Sequence, residues 1–205
     1  MNRVELKEKA KKSLQGKYGE AIKLFLVFFL ISLASSMVIA FLEFWGINEN
    51  ISSLLADIIS LVISGLLYFG YYNFFLKISR NEEVTWNELF ARTDLFLPYI
   101  AISLLVGIFT LLWTLLLIIP GIIAAISYSM VYFVALDNPE LGAMDVIRKS
   151  KELMHGHKMD YFILELSFIG WSIVGIFTLG LLYLWLVPYM QVTMANFYNE
   201  IKKDV

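Results

Sequence analysis

The chain contains no cysteine. Disulfide frameworks, thiolate metal sites and cysteine nucleophiles are thereby excluded, while the redox state of its compartment stays open. Charge is also scarce, with Asp, Glu, Lys and Arg making up 17% of 205 residues, against roughly 25% in soluble domains. A net charge of −2 gives no reason to expect a nucleic-acid partner. The sequence has no nucleophile elbow, phosphate loop, zinc-helix motif or dinucleotide fingerprint. Nothing therefore points to catalysis or a cofactor, and the chain is read as a non-enzyme.

The most informative absence is that of positive charge from residues 24–76, 93–147 and 159–201. All sixteen Lys and Arg fall in four islands: seven from Arg3 to Lys23, three from Lys77 to Arg92, four from Arg148 to Lys158, then Lys202 and Lys203. A membrane span takes ~20 apolar residues, so each cation-free stretch has room for two spans and a turn. Short loops rich in Lys and Arg stay in the cytoplasm. Six spans with both termini cytoplasmic follow, and the expected outer turns (43–50, Pro120, Gly180) carry no cation. Residues 3–40 also have the outline of a signal peptide. Their apolar run, 24–42, is longer than the ~7–15 residues of a signal core, so it reads as a retained span.

The chain that fills these stretches is 59% hydrophobic and 16% aromatic. Spans are expected near 21–42, 54–78, 97–119, 121–136, 161–179 and 181–198. Residues 96–136 as one helix would measure ~61 Å, twice the hydrocarbon thickness, so the chain turns back near Pro120. Tyr68, Phe69, Tyr71, Tyr72, Phe74 and Phe75 crowd the inner end of the second span and predict an aromatic belt at the headgroups. Three cytoplasmic segments precede the span pairs. Residues 1–20 place Leu6, Ala10, Leu14 and Tyr18 on one helical face, and Thr85 with Glu88 has capping-box spacing. In 140–155, Ala143, Val146, Ile147, Ser150, Leu153 and Met154 share a face within ~120°.

Val106-Gly-Ile-Phe-Thr-Leu111 recurs as Val174-Gly-Ile-Phe-Thr-Leu179, and a proline, Pro120 or Pro188, follows each glycine by thirteen residues. A fainter echo joins Lys12-Ser13 and Gly16-Lys17 to Lys149-Ser150 and Gly156-His-Lys158. The expected architecture is all-α: one domain, 1–205, of six transmembrane helices in three parallel two-span repeats, at about 1–78, 84–137 and 140–205. Small residues four apart (Ser32, Ser36, Ala40; Ala56, Ser60, Ser64; Gly121, Ala125, Ser129) fit close helix packing within the chain or a homodimer face.

Glu165 is the leading candidate for function, because a carboxylate inside a span is costly and marks a proton site or a partner for a cationic group. Pairing with Lys158 or a bond to Ser167 near the headgroups explains it equally. Gln191, Thr193 and Asn196 follow Pro188 on the last span, where a kink frees carbonyls to line a pathway; interhelical hydrogen bonds are the alternative. Asp57 is weaker, placed with Ser52 and Ser53 at a helix entrance. His155-Gly-His157 lacks ligands for a metal site, and Gly156 reads as a helix end.

The segments Asp137-Asn-Pro-Glu-Leu-Gly-Ala-Met144, Ile147-Arg-Lys-Ser150, Gly156-His-Lys158 and Ser167-Phe-Ile-Gly-Trp171 resemble a bacterial integral-membrane family, domain of unknown function 975. Residues 6–22, Val187-Pro-Tyr-Met190 and Ala195-Asn-Phe-Tyr198 extend the likeness over most of the chain. The resemblance implies a six-span fold in the plasma membrane and no established activity. A more distant similarity is to the membrane domain of some glycerophosphodiester phosphodiesterases, without phosphodiesterase residues. Two functions remain open. One is binding or moving a lipid or small amphiphile between the repeats. The other is a scaffold, envelope-stress or bacteriocin-immunity role through the cytoplasmic helices, with a protein partner or a second copy.

Overall fold

Every regular element in residues 2–204, the part that the computed structural model describes, is helical. In chain order these are α1 (Arg3–Ser13), α2 (Tyr18–Phe44), α3 (Glu49–Ser79), α4 (Phe96–Leu116), α5 (Ile118–Ser127), α6 (Val131–Asp137), α7 (Ala143–Leu153), α8 (Lys158–Phe177) and α9 (Tyr183–Ile201). Short 3-10 turns at Trp86–Phe90 and Thr93–Leu95 lead into α4. Five stretches are long and apolar enough to cross a membrane: Tyr18–Phe44, Glu49–Ser79, Trp86–Leu116, Ile118–Asp137 and Lys158–Phe177. The remaining expected span, α9, has 19 residues and is more polar, carrying Gln191, Thr193, Asn196, Asn199 and Glu200. Residues 192–198 are all buried by neighbouring helices, so lipid does not dictate their polarity.

The amphipathic segments lie against the bundle. The face expected for α7 is the face it buries, with Val146, Ile147, Ser150 and Leu153 covered, and it packs on α4 and α6. Helix α1 lies on α9 and buries Leu6, Ala10 and Leu14; a leucine removed from water in this way contributes about 1.5–3 kcal/mol. Its Lys7 ammonium sits 4.1 Å from the centre of the Phe168 ring, and burial lowers its pKa from the ordinary lysine value. Both α1 and α7 are 11 residues long. Each is followed by a glycine at positive φ, Gly16 at 76° and Gly156 at 82°, which only a residue without Cβ adopts freely. The next helices start at Tyr18 and Lys158, so the boundaries of the two pieces are separated by one constant offset.

Other expectations shift. The aromatic cluster at the end of α3 does not form a belt: Phe69, Phe74 and Phe75 are fully buried, and Tyr132 stacks between Tyr72 and Tyr99 at centroid distances of 4.9 and 5.7 Å. The belt rule applies to rings that face lipid, whereas α4, α6, α9 and the Trp86 turn enclose this part of α3. Thr85 precedes the 3-10 turn without a side-chain cap, because Glu88 is drawn to Lys77 at 2.8 Å and Asn73 at 3.0 Å. The turn before Pro120 comes earlier than expected, at the extended residue Leu117 (φ −162°, ψ 144°). Pro120 then lies in the first turn of α5, where its missing N–H costs nothing.

The two six-residue copies occupy different places. Residues 106–111 lie within α4, whereas 174–179 end α8 and enter its turn, with Leu179 at φ 52°. The small-residue ridges of α2 and α3 face each other but leave a cleft of about 280 Å³ lined by Ser32, Ser36, Ala56, Ser60 and Ser64. Gly121, in contrast, is pressed against α4: a Cβ there would lie 2.2 Å from the Thr114 hydroxyl.

Candidate functional site

Glu165 sits two turns into α8, half-buried, where that helix passes the break between α5 and α6. The break arises because Tyr128, Ser129 and Met130 leave the helical ladder. Freed backbone groups there are taken up locally: the Ser129 hydroxyl donates to the Ile126 carbonyl at 2.8 Å, and the Ser150 hydroxyl of α7 donates to the Ser127 carbonyl at 3.0 Å. Tyr161, one turn before Glu165, brings its hydroxyl close to the Glu165 carboxylate and to the Ser129 side chain. Its ring stands edge-on to Phe197 of α9 at 5.6 Å. Among the described residues Glu165 has no ion pair with Lys158, and the Ser167 hydroxyl donates to the Leu164 carbonyl instead. The result is a polar chain, Glu165 to Tyr161 to Ser129, that points into a seam between helices.

The polar residues of α9 do not join it as one set. Thr193 is buried, with its hydroxyl donating to the Tyr189 carbonyl of its own helix at 2.7 Å. At 100° per residue, half-buried Gln191 lies about 160° from Thr193 and about 140° from Asn196. Asn196 shares a face with Tyr189 and Glu200, which interact with Glu8 and Lys9 of α1. Its side-chain nitrogen is fully buried without a hydrogen-bond partner, an arrangement that costs about 1–3 kcal/mol. Asp57 is exposed on α3, more than two turns beyond the Asn48 cap, whose side chain accepts from the Asn50 amide at 2.9 Å. Ser52 is buried there with an unpartnered hydroxyl.

A second polar cluster was not anticipated. One oxygen of Asp137, at the end of α6, accepts from Arg80 at 2.7 Å, Lys202 at 2.7 Å and Tyr198 at 3.0 Å. Asn199 accepts from Arg80 at 3.3 Å and donates to Ser79 at 2.8 Å. The clasp ties the C-terminal ends of α3, α6 and α9 together. Its sequence signal is positional: Arg80 and Lys202 stand just after an apolar helix, and Asp137 ends one.

Two clefts flank the start of α8. The smaller, about 180 Å³, has Trp113 and Pro120 on one side and Lys151 and Lys158 on the other. The larger, about 350 Å³, is lined by isoleucines of α5, Met159 and Phe162, again with Lys158 at its edge.

Comparison with known families matches the chain to one described as "Protein of unknown function (DUF975)", over residues 1–127 and 114–205, which together span its whole length. No curated protein and no solved structure matches it.

Proposed function

The chain belongs to the DUF975 family, and from that premise we propose that it is a non-catalytic protein of the bacterial plasma membrane that binds or moves a lipid or small amphiphile. In this reading α9 is the sixth span: its 19 residues give ~28 Å, close to the hydrocarbon thickness. Both termini are cytoplasmic, and the span pairs are related units. The matched α1 and α7 pieces support that relation better than the six-residue copies do. An impermeant label reaching position 203 on intact cells would invert the topology.

The observation that carries the proposal is the inward course of Glu165. A carboxylate kept only for the interface would reach water or pair with Lys158; this one joins Tyr161 and Ser129 inside a helix seam. Enclosed polar groups of this kind mark ligand or proton paths in membrane proteins. Glu165→Gln preserves size and removes the charge. The expected result is a protein of near-wild-type stability that loses its co-purifying amphiphile, read by native mass spectrometry, and does not complement a deletion phenotype. Full complementation would remove Glu165 from the mechanism. A scaffold role for the cytoplasmic helices is the second reading, favoured by the polar face of α1, where Lys11 and Lys12 are exposed. The apolar faces of α1 and α7 are already occupied, so such a partner would bind through charge.

A further inference from the structure

We propose that the seam between α5 and α8 holds an anionic phospholipid, its phosphate between Lys151 and Lys158 and one acyl chain along the isoleucine face of α5. The inference rests on the amphiphile-binding reading and gives it a ligand class and an address.

The first observation is a pattern of pairing. In the three islands from Lys77 onward, nearly every cation has an acceptor: Lys77 has Glu88, Arg80 and Lys202 share Asp137, Arg92 has Asp94, Arg148 has Asp145, Lys203 has Glu200, and Lys149 donates to Asn138. Lys151 and Lys158 are the exceptions among the described residues, and they line one cleft together. Two ammonium groups on the wall of one cleft, with no carboxylate paired to either, make that cleft electropositive and favour an anion in it. A single lysine at a helix end can be explained by snorkelling; an unpaired pair on one cleft wall needs more.

The second observation is what the pair stands beside. Lys158 and Ile123 line both clefts, so the cationic end runs directly into the larger, nearly polar-free groove of Ile119, Ile122, Ile126 and Phe162. This face is uncovered by protein, with Ile119 71% exposed. A free phosphate ester would use the lysines and ignore the groove; a neutral lipid would use the groove and leave the lysines unpaired. A phosphodiester with an attached acyl chain satisfies both, and lysine binds phosphate as a mobile point charge. Trp113 and Tyr128 complete the wall of the smaller cleft.

The test uses the full chain in lipid discs of phosphatidylcholine doped with phosphatidylglycerol, followed by native mass spectrometry of the lipids that stay bound. Wild type should retain phosphatidylglycerol in excess of its share. K151Q/K158Q should reduce that preference about thirtyfold if each lysine contributes as a surface cation typically does. Arg148→Gln, the same loss of charge at a residue paired with Asp145, should leave the preference intact. Ile123→Trp, which fills the shared wall, should reduce retention of both lipids. Persistence of the preference in K151Q/K158Q, an equal loss in Arg148→Gln, or displacement by soluble glycerol phosphate would each overturn the assignment while leaving amphiphile binding in place. Retention of no lipid at all by wild type would overturn both.

Discussion

The two ends of α3 are held by different forces. Toward its C-terminus Phe74, Phe75, Leu76 and Ile78 are buried, Lys77 pairs with Glu88, and Arg80 enters the Asp137 clasp. Toward its N-terminus, Ile51, Leu54, Ile58, Leu61 and Val62 are exposed, and the neighbouring α2 buries just Ala21 and Leu24 of 27 residues. In water such an end would collapse or aggregate. In lipid the apolar drive disappears, because acyl chains solvate leucine as well as another leucine does. The far hairpin therefore needs only length and greasiness, while the clasped end needs particular partners. At ~40 and ~46 Å, α2 and α3 also exceed a typical hydrocarbon thickness and in a bilayer would have to tilt or project, whereas α8 at ~30 Å matches it.

Substitutions that treat the two ends alike would break this comparison. The largest effect is expected at Gly70, where a Cβ would lie 2.0 Å from the Leu89 carbonyl oxygen and 2.4 Å from its carbon. Backbone cannot step aside as a side chain can, so Gly70→Ala should cost about 3 kcal/mol, read as a lower thermal midpoint in detergent. Gly107→Ala, with nothing within 4 Å, should instead gain about 0.5–1 kcal/mol from helix propensity. Equal midpoints for the two variants would refute the packing of the Trp86 turn on α3. Next comes Asp137→Ala. Its side chain is 10% exposed and its removal strands Arg80 and Lys202. Since those partners are 34% and 48% exposed, solvent recovers part of the loss, leaving a cost of about 2 kcal/mol. Asp57→Ala on the far half of α3 should change stability by less than about 0.5 kcal/mol. An effect between these two, about 1 kcal/mol, is expected for Tyr132→Phe, which deletes the 3.1 Å bond to Ser103 and keeps the ring stack.

How far the sequence could be read follows the same division. The α7 face was legible because one amphipathic period decides it, and five of the six expected spans were legible as long apolar runs. Reading the ring-rich end of α3 as a belt failed because composition cannot say whether a ring meets lipid or protein. The Thr85 cap failed because Lys77 and Asn73, distant in sequence, outbid the local amide for Glu88. Glu165 could be singled out by its apolar surroundings, yet Ser129, which its neighbour Tyr161 meets, belongs to a helix break that no glycine or proline announces. The Asp137 clasp was invisible for another reason: its members are ordinary flanking charges until three helix ends converge.

The sharpest small effect concerns the serine cleft between α2 and α3. Ser36 donates to the Ser32 carbonyl at 3.1 Å, and Ser64 to the Ser60 carbonyl at 2.7 Å, so these hydroxyls are satisfied within their own helices and bind nothing across the gap. Removing one leaves the main-chain ladder intact. Ser36→Ala should therefore shift stability by no more than about 0.3 kcal/mol. Ser36→Leu is more discriminating. A close-packed serine ridge would meet the added methylenes as overpacking, at about 1–3 kcal/mol. An open cleft of about 280 Å³ has room for the larger side chain, and the thermal midpoint should stay within a degree or two of wild type. A marked fall would mean that α2 and α3 touch along their small residues, and that the far hairpin is held by direct packing after all.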